Sequence, residues 1–258
     1  MTVVNVVKGS SPVILGLPHT GTHVPPEIWA RLNDNGRLLA DTDWHIEDLY
    51  DGLLADATTV RATFHRYVID ANRDPDGVSL YPGQNTTGLV SPTDFDGQPI
   101  WQEGAEPTEA DIAQRRATFH APYHAALQAE IDRVRAIHGI AILYDCHSIR
   151  SKIPFLFEGI LPDFNIGTDG GRTCDPLIEQ AAVEAARRKV GEVEAALAVA
   201  KVDILANEAR IQEARSSLQL ALDELRTKQE LKRRNDDVVA AREIERLENV
   251  VQGREATV

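Results

Sequence analysis

The sequence predicts an α/β domain with a mostly parallel sheet, followed by an α-helical coiled-coil hairpin. In the first part, short β-branched apolar runs alternate with amphipathic segments, a pattern typical of alternating strands and helices. In the second part, the last aromatic residue is Phe164, the last proline is Pro176, and Ala, Glu, Arg, Leu and Val dominate thereafter. We therefore predict two domains, at residues 1–182 and 183–258.

Three apolar segments predict the strands of the first domain. "PVILGL" (12–17) and "GIAILYD" (139–145) are short, rich in β-branched residues and bounded by turn residues, as buried parallel strands are. "ATTVRATFHRYVIDANR" (57–73) predicts one or two further strands that end in a loop.

Two amphipathic segments predict helices, at residues 43–57 and 108–138. Thr108 is a predicted N-cap, and Pro122 predicts either two helices or one kinked helix in the second segment. Residues 74–107 are rich in Gly, Pro, Asp and Thr, which predicts a long loop that covers a functional site.

A heptad pattern of apolar residues predicts the hairpin. "RRNDDVV" (233–239) contains Asn and Asp, which favour a turn, and apolar positions resume at Ile244, Leu247 and Val251. The seam before the turn consists of Val193, Leu197, Ala200, Ile204, Asn207, Ile211, Ala214, Leu218, Ala221 and Leu225.

Composition restricts the classes of function. The 258 residues are 43% hydrophobic, enough for a packed core, and their net charge of -13 argues against a nucleic-acid surface. The N-terminus lacks a basic region followed by a long apolar one, and no stretch reaches the roughly 18 apolar residues of a membrane span. We expect a cytoplasmic protein that acts on small molecules, with Cys146 and Cys174 as reduced thiols.

Polar clusters follow the predicted strands, where open α/β sheets form their ligand sites. The clusters are "PHTGTH", "RYVIDANRD" and "YDCHS", and a fourth, "DTDWHIED", begins a predicted helix. Together they supply His19, Asp70, Asn72, Arg73, Asp145 and His147, with the carboxylates of residues 41–48.

Two strand-end histidines and a carboxylate suit a catalytic zinc, which takes three protein ligands and leaves a fourth position to water. Arg73 with Asn72 offers a planar fork and an amide suited to a substrate carboxylate. These features suggest hydrolysis of an amide next to a carboxylate. The alternative is structural: hydrogen-bonded histidines, a helix cap at Asp145, or an ion pair of Asp70 or Arg73.

Six segments resemble the N-formylglutamate amidohydrolase (N-formylglutamate deformylase) family, over about residues 5–182. The resemblance implies a zinc-carboxypeptidase-like α/β fold and hydrolysis of N-formyl-L-glutamate to formate and L-glutamate in histidine degradation. The segments, in order, are "PHTGTHVP", "DTDWHIEDLY", "RYVIDANRDP", "GLVSPTDFDGQPIW", "FHAPYHAAL" and "YDCHSIRSKIPFLFEG".

This resemblance also implies a ligand set for Zn²⁺. His19 and His147 match the family's metal-binding histidines, with Asp43 as the carboxylate ligand and Asp41 as its rival. Asp145 would orient the imidazole of His147 and belong to the catalytic centre.

For the substrate, the resemblance implies that Asn72 and Arg73 hold its carboxylate and that Arg73 takes part in catalysis; Arg66 and Arg150 are further candidates. The family continues into a Gly-rich segment and a strand carrying "ELAQ", whose glutamate would be the general base. This sequence departs from the family after residue 182. We therefore expect a truncated domain with impaired turnover, unless a group such as Glu158 replaces the base.

Residues 183–258 resemble the coiled-coil hairpin of HlyD-family membrane fusion proteins, which docks on a partner through its tip, here residues 235–238. That resemblance implies docking or self-association through the coiled coil. Two alternatives to the deformylase therefore stay open. One is a non-catalytic interaction protein, and the other is a metallohydrolase that acts on another N-acyl acidic amino acid.

Overall fold

The computed structural model describes residues 2–78, 87–235 and 237–257. The chain forms two compact units, residues 1–163 and residues 164–258. Among the residues described, no helix is long and apolar enough to cross a membrane.

A four-stranded sheet lies at the centre of the first unit, in the order β1–β3–β2–β4. β2 pairs in parallel with both β3 and β4, and β1 pairs antiparallel with β3. The prediction of a mixed α/β unit is confirmed, but β1 is an edge strand that the sequence analysis did not predict. The strands are β1 (Val4–Val7), β2 (Val13–Leu17), β3 (Thr58–Ala62) and β4 (Ile142–Asp145).

The long amphipathic segment forms one distorted helix, made of α3 (Glu109–Arg115), a π-helical stretch (Arg116–His120) and α4 (Ala121–His138). Thr108 caps α3, since its side chain accepts a hydrogen bond from the backbone N–H of Asp111, whose carboxylate accepts one from the N–H of Thr108 in return. The π-helical stretch ends at His120, two residues before Pro122, whose missing N–H removes one hydrogen bond of a continuous α-helix.

The two faces of the sheet are packed unequally. Val60 and Ala62 of β3 are fully buried in the main core, on the side of α4. On the other face a smaller cluster, Leu15, Leu17, Ile46 and Cys146, lies against α2 (Ile46–Tyr50).

One predicted helix is shorter in the structure, while segments 57–73 and 74–107 agree with their predictions where they are described. The helix predicted at 43–57 is limited to α2, because His45 directly before it has a φ angle of 63° and Asp51 directly after it is extended, with a ψ angle of 126°. The segment 57–73 forms a single strand, β3, followed by turns. In the loop predicted at 74–107, residues 79–86 lie outside the described residues, and the described remainder forms turns and isolated bridges such as Leu32 with Trp101. The short helix α1 (Pro26–Trp29) lies between β2 and α2.

The described residues of the second unit form two helices, α5 (Pro176–Arg234) and α6 (Ala241–Glu255). α5 begins at Asp175, whose side chain accepts a hydrogen bond from the N–H of Leu177 at 2.8 Å. α6 folds back on α5: Nη1 of Arg254 donates to the carbonyl oxygen of Ser217 at 2.6 Å, and Lys228 forms an ion pair with Glu243 at 2.8 Å.

Candidate metal centre

Parallel strand pairing brings His19 and His147 together. His19 follows β2 and His147 follows β4, and these neighbouring parallel strands end at the same edge of the sheet. The two imidazole rings lie with their centroids 4.9 Å apart. Asp43 joins them from the segment before α2, where its backbone N–H donates to the carbonyl oxygen of His19 at 3.1 Å.

His19, Asp43 and His147 form a group that could hold a metal ion, with one ligand atom each and all three atoms within 4.8 Å of one another. Oδ2 of Asp43 lies 3.2 Å from Nδ1 of His147 and 3.7 Å from Nδ1 of His19. Zinc bonds of about 2.0–2.1 Å in a tetrahedron place neighbouring ligand atoms about 3.4 Å apart. The two carboxylate–imidazole distances bracket this value, and the two imidazole nitrogens lie within 4.8 Å of each other, so the residues present fit such an ion.

The remaining nitrogen of each imidazole faces a second carboxylate. Nε2 of His19 lies 2.7 Å from Oδ1 of Asp70, and Nε2 of His147 lies 2.9 Å from Oδ2 of Asp145. Both imidazoles therefore turn Nδ1 towards Asp43. Metal-binding histidines in proteins are commonly oriented in this way: one ring nitrogen faces the metal site and the other is hydrogen-bonded to a carboxylate.

Electrostatics keeps the buried carboxylates of the group ionised. Burial alone would raise the pKa of Asp43, but its hydrogen bonds to His147 and His19 outweigh burial and hold that pKa well below the usual range. Burial likewise opposes ionisation of Asp70, but the guanidinium of Arg66 and the imidazole of His19 hold its pKa well below the usual value. For His147, burial lowers the pKa, while the hydrogen bonds to Asp145 and Asp43 prevail and raise it to about 9.

Two glycines make room for this geometry. A Cβ at Gly21 would lie 2.5 Å from the carbonyl oxygen of Phe64, so only glycine lets the loop carrying His19 pack this closely against the backbone after β3. A Cβ at Gly16, within β2, would collide with Oδ1 of Asp145. The glycine in "VILGL" therefore provides the space that the Asp145 carboxylate occupies.

Asp41 lies outside the metal-ligand group. It is buried, accepts a hydrogen bond from the Tyr67 hydroxyl at 2.8 Å and another from the backbone N–H of Phe95 at 3.0 Å. Burial raises the pKa of Asp41. The structure thus places Asp43 beside the histidines and gives Asp41 different partners.

The residues predicted to bind substrate occupy different environments. Nδ2 of Asn72 lies 3.1 Å from Nε2 of His147, and Asn72 is exposed. Arg73 is half-buried and donates from Nε and Nη2 to the backbone oxygen and the hydroxyl of Thr87, at 2.9 and 2.7 Å. The structure thus brings Asn72 to the metal-ligand group and connects Arg73 to the loop that follows it.

Arg66 and Arg150 each have a carboxylate partner. Arg66 is buried and its Nη2 lies 2.6 Å from Oδ2 of Asp70, so it contacts the carboxylate that holds His19. Arg150 is exposed and pairs with Asp96 at 2.9 Å. Glu158, the candidate for a replacement base, is also exposed.

Sequence reasoning placed Asp70 in a strand-end cluster but assigned it no role at the metal centre. The sequence did contain a signal for such a role. Asp70 immediately follows the apolar run "YVI" and precedes Asn72 by two residues, in the same way that Asp145 precedes His147.

Comparisons with known proteins show the family of the chain and agree with its fold. The family model described as N-formylglutamate amidohydrolase matches residues 11–200. The chain is 43% identical over 177 residues to a Pseudomonas aeruginosa N-formylglutamate deformylase, covering 68% of this chain and 66% of that protein. It is 42% identical over 174 residues to a Pseudomonas putida N-formylglutamate deformylase, covering 67% and 65%. The chain thus spans just under two thirds of the length of these curated relatives.

A solved structure gives the same view of the fold. The crystal structure of an N-formylglutamate amidohydrolase from Ralstonia eutropha JMP134 superposes with a TM-score of 0.61 at 23% identity, covering 73% of this chain and 74% of that one. These matches do not support the predicted resemblance of residues 183–258 to HlyD-family hairpins, and the family match extends past the predicted boundary at 182 to residue 200. The chain belongs to the N-formylglutamate amidohydrolase family.

Proposed function

We propose that this protein hydrolyses N-formyl-L-glutamate to formate and L-glutamate, a step of histidine degradation, with Zn²⁺ held by His19, Asp43 and His147. The observation that carries the proposal is the convergence of these three side chains, with ligand atoms within 4.8 Å of one another. Family membership supports the reaction class, and the two curated relatives bear the name of this activity.

The donor set favours zinc. Two imidazole nitrogens and one carboxylate oxygen are typical of catalytic zinc sites, which keep a fourth position open. When bound, zinc supplies Lewis acidity, which polarises a carbonyl group and eases deprotonation of water. Asp70 and Asp145 hold the two imidazoles in the orientation that such a site needs.

The chain's own residues orient the substrate in this proposal. The exposed amide of Asn72, beside His147, contacts the substrate, and Arg73 contributes positive charge for its carboxylate. In the reaction, water adds to the formyl carbon, the C–N bond breaks, and the leaving amine of glutamate takes up a proton. Asp145, about one third exposed and next to His147, is the carboxylate of this centre that solvent reaches best.

We also propose that turnover is slow. Among the described residues, the carboxylates of Asp43, Asp70 and Asp145 are each already bound to an imidazole, which limits their strength as bases. A general base typically contributes about 10²- to 10⁴-fold to the rate, and carboxylates bound in this way supply less of that contribution.

A formate assay tests the proposal. Zinc-loaded protein should release formate from N-formyl-L-glutamate at a rate that His147→Ala abolishes and His138→Ala, a change at an exposed histidine, leaves unchanged. N-acetyl-L-glutamate and N-formyl-L-aspartate in the same assay distinguish another N-acyl acidic substrate. Zinc-loaded protein that releases no formate above the uncatalysed rate would contradict the proposal.

A second candidate function is association through the helical unit, and it concerns residues outside the metal centre. It is favoured by the exposure of large apolar side chains along α5, among them Val193, Leu197, Ile204 and Ile211. This association is independent of hydrolysis, and both can operate in one chain.

A further inference from the structure

Among the described residues, α6 covers the C-terminal part of the apolar seam of α5. There, α6 lies against α5 between Ser217 and Lys228, which bind Arg254 and Glu243. The heptad seam residues of α5 in and next to this region are buried or half-buried, and Leu247 and Val251 of α6 are buried as well. These α5 residues are Ala214, Leu218, Ala221 and Leu225.

Within the part of the chain that the structure describes, no residue buries the seam between residues 191 and 213. Val193, Leu197, Ile204 and Ile211 expose 56%, 53%, 57% and 43% of their surface, and every residue from 191 to 213 is exposed. Because this stripe continues the α5–α6 interface with the same spacing, a second helix with a heptad seam fits it.

We propose that the stripe pairs with the same stripe of a second copy of this chain, in antiparallel orientation. This inference rests on the second function proposed above, and it adds the partner and the register. If Leu197 packs against the second copy's Ala200, the charges beside the seam are complementary. Lys201 then faces the second copy's Glu194, and Arg187 faces its Glu208.

Two-fold symmetry doubles these contacts to four attractive pairs, against two repulsive contacts between Lys189 and Arg210 on the other side of the seam. Neighbouring registers are worse. A shift of one heptad in one direction places Lys201 against Lys201 and Glu194 against Glu208, and a shift in the other places Glu194 against Glu194. Like charges therefore disfavour both shifted registers.

Parallel pairing is also disfavoured. In a parallel dimer in register, Asp203 would face the second copy's Glu208, and Arg210 would face its Arg215. One attractive contact, Lys189 with Glu194, does not offset these two. Charge therefore selects the antiparallel arrangement centred between residues 198 and 199.

Sedimentation equilibrium of the full chain tests the proposal. The wild type should have a mass approaching twice the 28.4 kDa of the chain at high concentration. Leu197→Lys should give a monomer, whereas Val202→Lys, at an exposed position away from the seam, should leave the dimer intact. Circular dichroism of each variant shows whether its helices remain folded.

A charge swap tests the register. Arg187→Glu and Glu208→Arg should each weaken dimerisation by about tenfold, since each turns two attractive contacts into repulsive ones, and the double variant should restore it. A monomeric wild type overturns the proposed association altogether. The antiparallel register is overturned if Leu197→Lys leaves the dimer intact, or if the double variant does not regain wild-type dimerisation. Either result would still leave association itself established. Formate release from the same samples reports on hydrolysis separately.

Discussion

The carboxylate of Asp70 lies 2.7 Å from Nε2 of His19, and this contact leaves Nδ1 of the same ring facing Asp43. Asp70 is fixed in turn by Arg66, by the backbone N–H of Asn72 and by burial. The orientation of one predicted metal ligand thus depends on a buried ion pair on its far side.

Asp70→Asn should weaken zinc binding by about 10- to 100-fold, because the amide holds the His19 ring less firmly and makes it a poorer donor. Competition with a chromogenic chelator measures the change. Asp132→Asn, at an exposed position on α4, is the matched control and should bind zinc as the wild type does. Equal affinity in both variants would show that Asp70 does not position His19.

Arg66→Met should destabilise the fold by about 3–5 kcal/mol, since it leaves the buried carboxylate of Asp70 without its cation. Urea unfolding of the metal-free protein measures the free energy. Arg150→Met removes an exposed partner of Asp96 and should change stability by less than about 1 kcal/mol. Similar losses in the two variants would argue against a structural role for the buried pair.

Gly16→Ala should displace the Asp145 side chain, because the added methyl group occupies the position of its Oδ1. His147 then loses an orienting partner, so we expect zinc affinity to fall by about tenfold or more. Gly88→Ala, where an added Cβ meets no atom closer than 3.9 Å, is the control. An unchanged affinity in Gly16→Ala would mean that Asp145 does not orient the metal site.

The free energy of unfolding should fall as the pH is lowered, because the buried side chain of His65 stays neutral in the folded protein. Burial, with the nearby Arg66, lowers the pKa of His65 to about 3, whereas an unfolded histidine titrates near 6.5. Below pH 6.5 the unfolded chain therefore binds a proton at this histidine that the folded chain does not bind. The free energy of unfolding then falls by about 1.4 kcal/mol per pH unit. Urea unfolding between pH 6.5 and 5 gives the free energy of unfolding as a function of pH. The slope of that free energy against pH should be smaller in His65→Asn than in the wild type and unchanged in His138→Asn. Equal slopes in wild type and His65→Asn would contradict this assignment.

The sequence alone predicted the parts of the site that follow strands. β2 and β4 were predictable from short β-branched runs, and their parallel pairing explains why His19 and His147 meet. The choice between Asp43 and Asp41 was not predictable, because it depends on the backbone hydrogen bond from Asp43 to His19 and on the contacts of Asp41 with Tyr67.

Other features depend on tertiary contacts that sequence patterns do not contain. Arg66 and Asp70 pair across a turn where the pattern favoured a strand, whereas the family resemblance had implied a substrate role for Arg66. α2 is short because His45 takes a positive φ angle at its start and Asp51 is extended at its end. The heptad pattern of α5 was predictable from the sequence. The sequence did not predict that α6, with 15 residues, covers only part of that pattern.

The most direct test of the central claim is anomalous diffraction at the zinc absorption edge from crystals of the zinc-loaded protein. We predict one strong peak per chain, about 2.0–2.2 Å from Nδ1 of His19, Nδ1 of His147 and a carboxylate oxygen of Asp43. A peak bound by other residues, or no peak at this site, would contradict the assignment.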